Sequence, residues 1–168
     1  MVRLRYAAIA AAILSLGAAA AAVERPEPGA SAPTPDLPRY VSLKSDNANG
    51  RHGPGEEHRI DWIYQRAGLP LQVTGESGPW RRVVDPDGAQ VWIHESNLDQ
   101  RRTAYVVAHG DVPMKRRANH NSRTIARLAP GVVVGFTGCD GDWRRVTVGG
   151  RVGWVPSAAV WGADCAGI

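Results

Sequence analysis

Six of the aromatic residues are tryptophans and only one is a phenylalanine. Two of those tryptophans open the same four-residue stretch, Trp80-Arg81-Arg82-Val83 and Trp143-Arg144-Arg145-Val146. Alternate side chains of a strand share a face, so Trp80 goes with Arg82 and Trp143 with Arg145, while Val83 and Val146 point the other way. An indole beside a guanidinium is recognition chemistry. The ring stacks on an apolar face of a peptide or sugar, and the guanidinium forks onto a carboxylate. Trp62 and Tyr64 share one face of another strand and extend such a platform. A structural reading competes: these tryptophans pack beneath a long loop, or between two modules. Both readings stand at this point. The other basic residues, Arg81, Arg101, Arg102, Lys115, Arg116 and Arg117, read as a solvated face, or as an anion-binding patch if the fold gathers them.

Catalytic chemistry has less to draw on. His52, His58, His94, His109 and His120 lack the spacing of a metal site. Asp85 and Asp87 fall in Asp85-Pro86-Asp87-Gly88, a turn that needs such residues for its own geometry. No serine or cysteine sits in a nucleophile motif. The expectation is a protein without catalytic residues, metal or cofactor.

The elements that must position these residues are announced by a repeat. Trp80 and Trp143 lie 63 residues apart, and the later tryptophans Trp92 and Trp154 lie 62 apart. Each copy runs through a Gly-bounded turn (Gly75-Glu76-Ser77-Gly78-Pro79, Gly138-Cys139-Asp140-Gly141-Asp142), the Trp-Arg-Arg-Val strand, a hairpin turn and a second tryptophan strand. The slip of one residue falls in the first hairpin turn. A match of turn, strand, turn and strand in register is a duplicated module, so the 168 residues hold two small domains. A module of about 60 residues buries only about 60% of its unfolded surface, which favours packing the two together or cross-linking them.

The N-terminus reads as an export signal over 1–22. Arg3 and Arg5 precede an apolar run, the alanines Ala20 and Ala22 fit a cleavage site, and the first acidic residue is Glu24. With that segment removed, no stable membrane span remains. The formal charge of +4 loses two arginines and no acids, leaving about +2. So small an excess argues against nucleic acid as a partner. Export places the protein in the periplasm or outside the cell, an oxidising setting in which Cys139 and Cys165, the only cysteines, are expected to form a disulfide worth roughly 3 kcal/mol.

Prolines 26, 28, 33, 35 and 38 make 23–38 an extended linker. Beyond it, apolar alternation predicts short strands and no helix. Val41 and Leu43 face one way, and Leu71 and Val73 turn inward. Asp46-Asn47-Ala48-Asn49-Gly50-Arg51-His52-Gly53-Pro54-Gly55 reads as a loop, being dense in turn formers. Glu95-Ser96-Asn97-Leu98 and its counterpart Ser157-Ala158-Ala159-Val160 read as tight closing turns. Thr103-Ala104-Tyr105-Val106-Val107 reads as a strand crossing or pairing between modules. The architecture is all-β: two tandem small barrels, 39–102 and 103–168.

The order Asn49-Gly50-Arg51-His52-Gly53-Pro54-Gly55, Gly75 to Trp80-Arg81-Arg82-Val83, then Val91-Trp92-Ile93, resembles the bacterial SH3 (SH3b) domain, with its N-x-R-x-G-P turn, G-x-W-x-x-V strand and G-W-V strand. The second copy keeps both tryptophan strands but has Arg117-Ala118-Asn119-His120-Asn121 where the Gly-Pro turn belongs. The resemblance implies two tandem SH3-like barrels of an exported Gram-negative protein. It also implies a binding module for peptidoglycan or an envelope peptide. The rival within the same resemblance is an accessory or scaffold protein that binds another envelope protein. Trp62, Tyr64, Trp80, Arg82, Trp143 and Arg145 are the candidate ligand-binding residues.

Overall fold

The computed structural model describes residues 36–165. The expected signal peptide, 1–22, and all but the end of the expected linker, 23–38, lie outside the described residues. Strand-forming alternation broken every few positions by Gly, Pro, Asn or Asp yields short strands joined by tight turns. The first copy contains β1 (Arg39–Leu43), β2 (Ala48–Arg51), β3 (Ile60–Tyr64), β4 (Pro70–Ser77), β5 (Trp80–Val84), β6 (Gln90–His94) and β7 (Leu98–Asp99). They form one sheet in the order β3-β2-β6-β5-β4-β1-β7. The second copy contains β8 (Thr103–Val106), β9 (Val112–Lys115), β10 (Thr124–Leu128), β11 (Val133–Asp140), β12 (Trp143–Val148), β13 (Arg151–Pro156) and β14 (Val160–Trp161). Its order, β10-β9-β13-β12-β11-β8-β14, is the first with every strand advanced by seven. The chain is therefore all-β, two sheets of one topology in tandem. The closing turns Glu95–Asn97 and Ser157–Ala159 are single 3₁₀ turns.

Each sheet curls until residues from its strands meet in one core. In barrel 1 these are Val41, Leu43, Ala48, Tyr64, Leu71, Val73, Val83, Val91 and Ile93. In barrel 2 Ala104, Val106, Met114, Leu128, Val134, Phe136, Val146 and Val155 play that part. The valines of the repeated stretch, Val83 and Val146, are wholly buried. Each contributes about 1.5–3 kcal/mol relative to an exposed side chain.

Two sequence expectations give way. The Gly75 to Pro79 and Gly138 to Asp142 stretches are mostly strand, since β4 runs to Ser77 and β11 to Asp140. A bulge between Val73 and Gly75, and another between Phe136 and Gly138, lets each ladder continue past its glycine. Within these two stretches only Gly78 and Gly141 take positive φ, at 53° and 52°. The second departure is β2, which forms inside the expected loop. Pairing to β3 and β6 on its two sides overrides the low strand preference of Asn49 and Gly50. Gly50 is needed there, because a Cβ would come within 2.8 Å of Val91 and 3.0 Å of Tyr64.

The two barrels share one compact unit. β8 pairs only with β11 and β14 of its own sheet, so Thr103 to Val106 is not a strand shared between sheets. Its side chains make the bridge instead. Thr103 Oγ1 donates to the Gly68 carbonyl at 2.7 Å, and Tyr105 and Val133 pack on the core of barrel 1. Arg66 reaches the Gly131 carbonyl from the opposite side. Tyr40 meets Trp161 edge to face at 5.2 Å. Gly162 lies against Pro70, where a Cβ would approach to 2.7 Å. The seam thus buries apolar surface that each small barrel leaves open.

Candidate functional site

The two arginines of the repeated stretch have different work. The first folds back on its own hairpin. Arg81 Nη1 donates to the carbonyls of Gly78 (2.6 Å) and Trp80 (3.2 Å), and Arg144 Nη1 does the same to Gly141 (2.9 Å) and Trp143 (3.2 Å). Arg81 is further held between Glu76 and Glu95. The second arginine, Arg82 or Arg145, is exposed. Arg82 lies along Thr74, with Nε 3.3 Å from Thr74 Oγ1, and over the Cα of Gly75.

Trp80 is half-buried and forms one wall of a polar cup of about 230 Å³, with Asn49, Arg51, Glu56, His94 and Asn97 around it. His94 stands edge-on to the indole at 5.3 Å. The Ser96 N–H donates to His94 Nδ1 at 3.2 Å and fixes that ring. The loop above, 52–59, is held down by Arg51, whose Nη1 donates to the carbonyls of Glu56 (2.8 Å) and His58 (2.7 Å). Gly53 lies against the ring of His58, which a Cβ there would have to displace. One aromatic wall among amide, hydroxyl, carboxylate and guanidinium groups suits a polar chain with one apolar face, such as a peptide or sugar.

Trp143 is placed otherwise. It is buried, and His120, from the loop that lacks the Gly-Pro turn, lies on it at 4.9 Å. The partners that shape the cup in barrel 1 are also replaced. Lys115 holds the position of Arg51, and Pro156 holds that of His94 opposite the tryptophan. Lys115 donates to Thr124 Oγ1 at 3.2 Å instead of gathering carbonyls.

Trp62 and Tyr64 do line a common cavity, of about 300 Å³, but it lies between the barrels and apart from the cup. Trp62 is 56% exposed, whereas Tyr64 is buried and donates its hydroxyl to Asp85 Oδ2 at 3.0 Å. Asp85 Oδ1 accepts the N–H groups of Asp87 (3.0 Å) and Ala89 (2.8 Å), which ties the hairpin turn together. Burial first, and then the charge of Asp85, its hydrogen bond and the charge of Asp87, push the Tyr64 phenol well above the usual tyrosine range.

The structure therefore divides the six candidates. Trp80 belongs to the cup, Trp62 and Tyr64 to the cleft, Arg82 and Arg145 to exposed strand faces, and Trp143 to the interior of barrel 2 under His120. Asn49, Arg51, Glu56 and His94 belong to the cup and escaped the sequence reading. The Asn49-Gly50-Arg51-His52 run carried a signal for Asn49 and Arg51 only. The remaining basic residues are partly engaged. Arg101 pairs with Asp99 at 3.3 Å, and Arg102 lies 5.1 Å from the Phe136 ring centre. Cys139 and Cys165 form the expected disulfide, Cα atoms 6.1 Å apart. Among the described residues no group of three or more His, Cys, Asp or Glu gathers to hold a metal ion, and no helix is long and apolar enough to cross a membrane.

Comparison with curated proteins finds none that matches. Among solved structures, the chain is similar to NlpC2 and NlpC1 from Trichomonas vaginalis, at 12% identity and a TM-score of 0.34 for each. The matches cover 74% and 78% of this chain but 48% of each of those, so it spans about half their length. The profile of the bacterial SH3 domain matches residues 44–100 and again 108–162, one match on each sheet. With the same topology twice and the family matched twice, the chain belongs to the bacterial SH3 domain family and carries two copies of the domain in tandem.

Proposed function

We propose that the protein is an exported, non-catalytic binding module that recognises a component of the cell envelope, peptidoglycan or a peptide, through the cup around Trp80. The observation that carries this reading is the open indole wall of Trp80 among convergent polar groups, at the place where the family's two sequence signatures meet. Family membership supports a cell-wall-related binding role. The disulfide and the basic, alanine-rich leader fit a periplasmic or secreted protein. The small charge excess fits a partner other than nucleic acid.

The test is retention of the protein, from Val23 onwards, by purified peptidoglycan sacculi at low and moderate salt. The expected outcome is retention at both, abolished by Trp80→Ala with the fold intact and weakened less by Arg82→Ala. Retention only at low salt and indifferent to Trp80→Ala would reduce the interaction to attraction by a basic surface. No retention would reject wall binding.

A second reading has its own observation. β3 is an edge strand, and Ile60, Trp62 and Ile63 on it are 44%, 56% and 58% exposed. An apolar edge of this kind suits an accessory or scaffold protein that adds a strand from another envelope protein. Co-purification of a stoichiometric protein partner, lost on Ile63→Lys and indifferent to Trp80→Ala, would select it over wall binding.

A further inference from the structure

The cleft between the barrels is chemically unlike the cup. Its aromatic surface comes from Trp62 and Tyr64 of barrel 1 and Tyr105 of barrel 2. Its charged groups are Asp85, Asp87 and Arg66. Asp85 is buried and uses both carboxylate oxygens on Tyr64 and on the backbone of its own turn, so it acts as a fixed negative charge. Asp87 is exposed on the lip, and among the described residues its carboxylate has no ion-pair partner. Arg66 is occupied across the seam by the Gly131 carbonyl and lies 6.0 Å from the Tyr105 ring centre. Two carboxylates against one engaged guanidinium leave the cleft negative. Past Asp87 and Tyr105 the cleft continues as a second hollow of about 380 Å³ beside Val107, His109 and Gly131.

Aromatic faces beside an unpartnered carboxylate select cations, because the ring quadrupole and the carboxylate both attract positive charge while the rings desolvate its apolar stem. We propose that the cleft between the barrels is a second ligand site, distinct from the Trp80 cup, which takes a cationic side chain, ammonium or guanidinium, from an extended peptide. The cation sits between Trp62 and Asp87, and the peptide follows the hollow along Val107 to His109. Without residues 1–22 the protein keeps a small positive excess, 18 basic against 16 acidic residues. Bulk attraction therefore works against such a ligand, and binding reports the local site.

Blocked Gly-Lys-Gly-Lys-Gly and its norleucine and glutamate counterparts serve as probes, titrated into the purified, disulfide-bonded protein by calorimetry, with the indole N–H signals followed by NMR. The lysine peptide is expected to bind and to shift the Trp62 signal, and the other two are not. Trp62→Ala weakens binding about tenfold. Asp87→Asn weakens it about fivefold and keeps the backbone N–H that the turn uses, so folding is not at issue. Trp80→Ala leaves it unchanged, which separates this site from the cup. Equal binding of the lysine and norleucine peptides, binding indifferent to Trp62→Ala and Asp87→Asn, or no binding of the lysine peptide would each overturn the proposal.

Discussion

The two barrels share a topology strand for strand and have spent it differently. In barrel 1, Arg51 gathers two loop carbonyls and leaves the Trp80 indole open to a polar cup. In barrel 2, Lys115 gathers none, Pro156 replaces His94, and His120 lies on a buried Trp143. The same divergence runs through the cores. The buried pair Tyr64–Asp85 of barrel 1 corresponds by register to the apolar pair Leu128 and Val148 of barrel 2. Barrel 2 also has what barrel 1 lacks, a covalent tie from β11 to the tail, reinforced by Arg144 Nε on the Ala163 carbonyl at 3.0 Å. A duplicated domain thus keeps one copy open and polar while the other is closed and cross-linked.

Three changes probe that division, taken from the strongest. Reducing the disulfide, or replacing Cys139 and Cys165 with serine, releases a loop of 26 residues and should cost about 3 kcal/mol in denaturant titration. Amide exchange should show the loss in β11 to β13 before it reaches β4 to β6. Equal loss in both barrels would mean that the seam makes them one cooperative unit.

Tyr64→Phe is next, at about 1–2 kcal/mol near neutral pH, because Asp85 Oδ2 loses its donor in a buried place. It should also change the alkaline limb of stability. The folded protein holds the Tyr64 proton above the ordinary value of 10.0, so it binds more protons than the unfolded chain once the pH passes that value. The stability that Tyr64 contributes is complete below that pH and is lost as the pH climbs towards the raised folded value. Melting temperatures followed from pH 8 upward should fall less steeply in the variant. An unchanged slope would remove Tyr64–Asp85 as the alkaline weak point of barrel 1.

His120→Ala is the smallest, about 1 kcal/mol for one aromatic contact. Its value lies in exposure: iodide or acrylamide should quench one more tryptophan than in the parent. Quenching that stays the same would show Trp143 buried by its barrel and not by His120.

The fold was legible because the repeat carries it. Matching Trp80 to Trp143 and Trp92 to Trp154 fixed two all-β modules, and Val83 and Val146 fell in the cores as strand alternation requires. The site was less legible for a physical reason. Trp80 and Trp143 occupy equivalent positions in identical local sequence, yet their exposure is decided by residues remote in the chain, Arg51 and His94 in one case and His120 in the other. Strand alternation says which face a side chain takes and nothing of what covers that face. Asn49 and Gly50 were hidden for a related reason, since turn-forming residues become a strand only when β3 and β6 arrive on either side. Cleft residues such as Tyr105 and Arg66 belong to different modules, and only the packing of one against the other makes them neighbours.

The contact of Tyr40 with Trp161 has a mechanical side. It brings β1 against β14, with Trp161 four residues before Cys165. Tension drawn between those two strands enters at the seam, where β1 is gripped by β4 on one side and β7 on the other, and leaves through the cross-link into β11. The strands that frame the cup, β2, β5 and β6, lie off that direct path. A pull on the chain would therefore load the joint between the barrels first and leave the shape of the Trp80 cup unstrained.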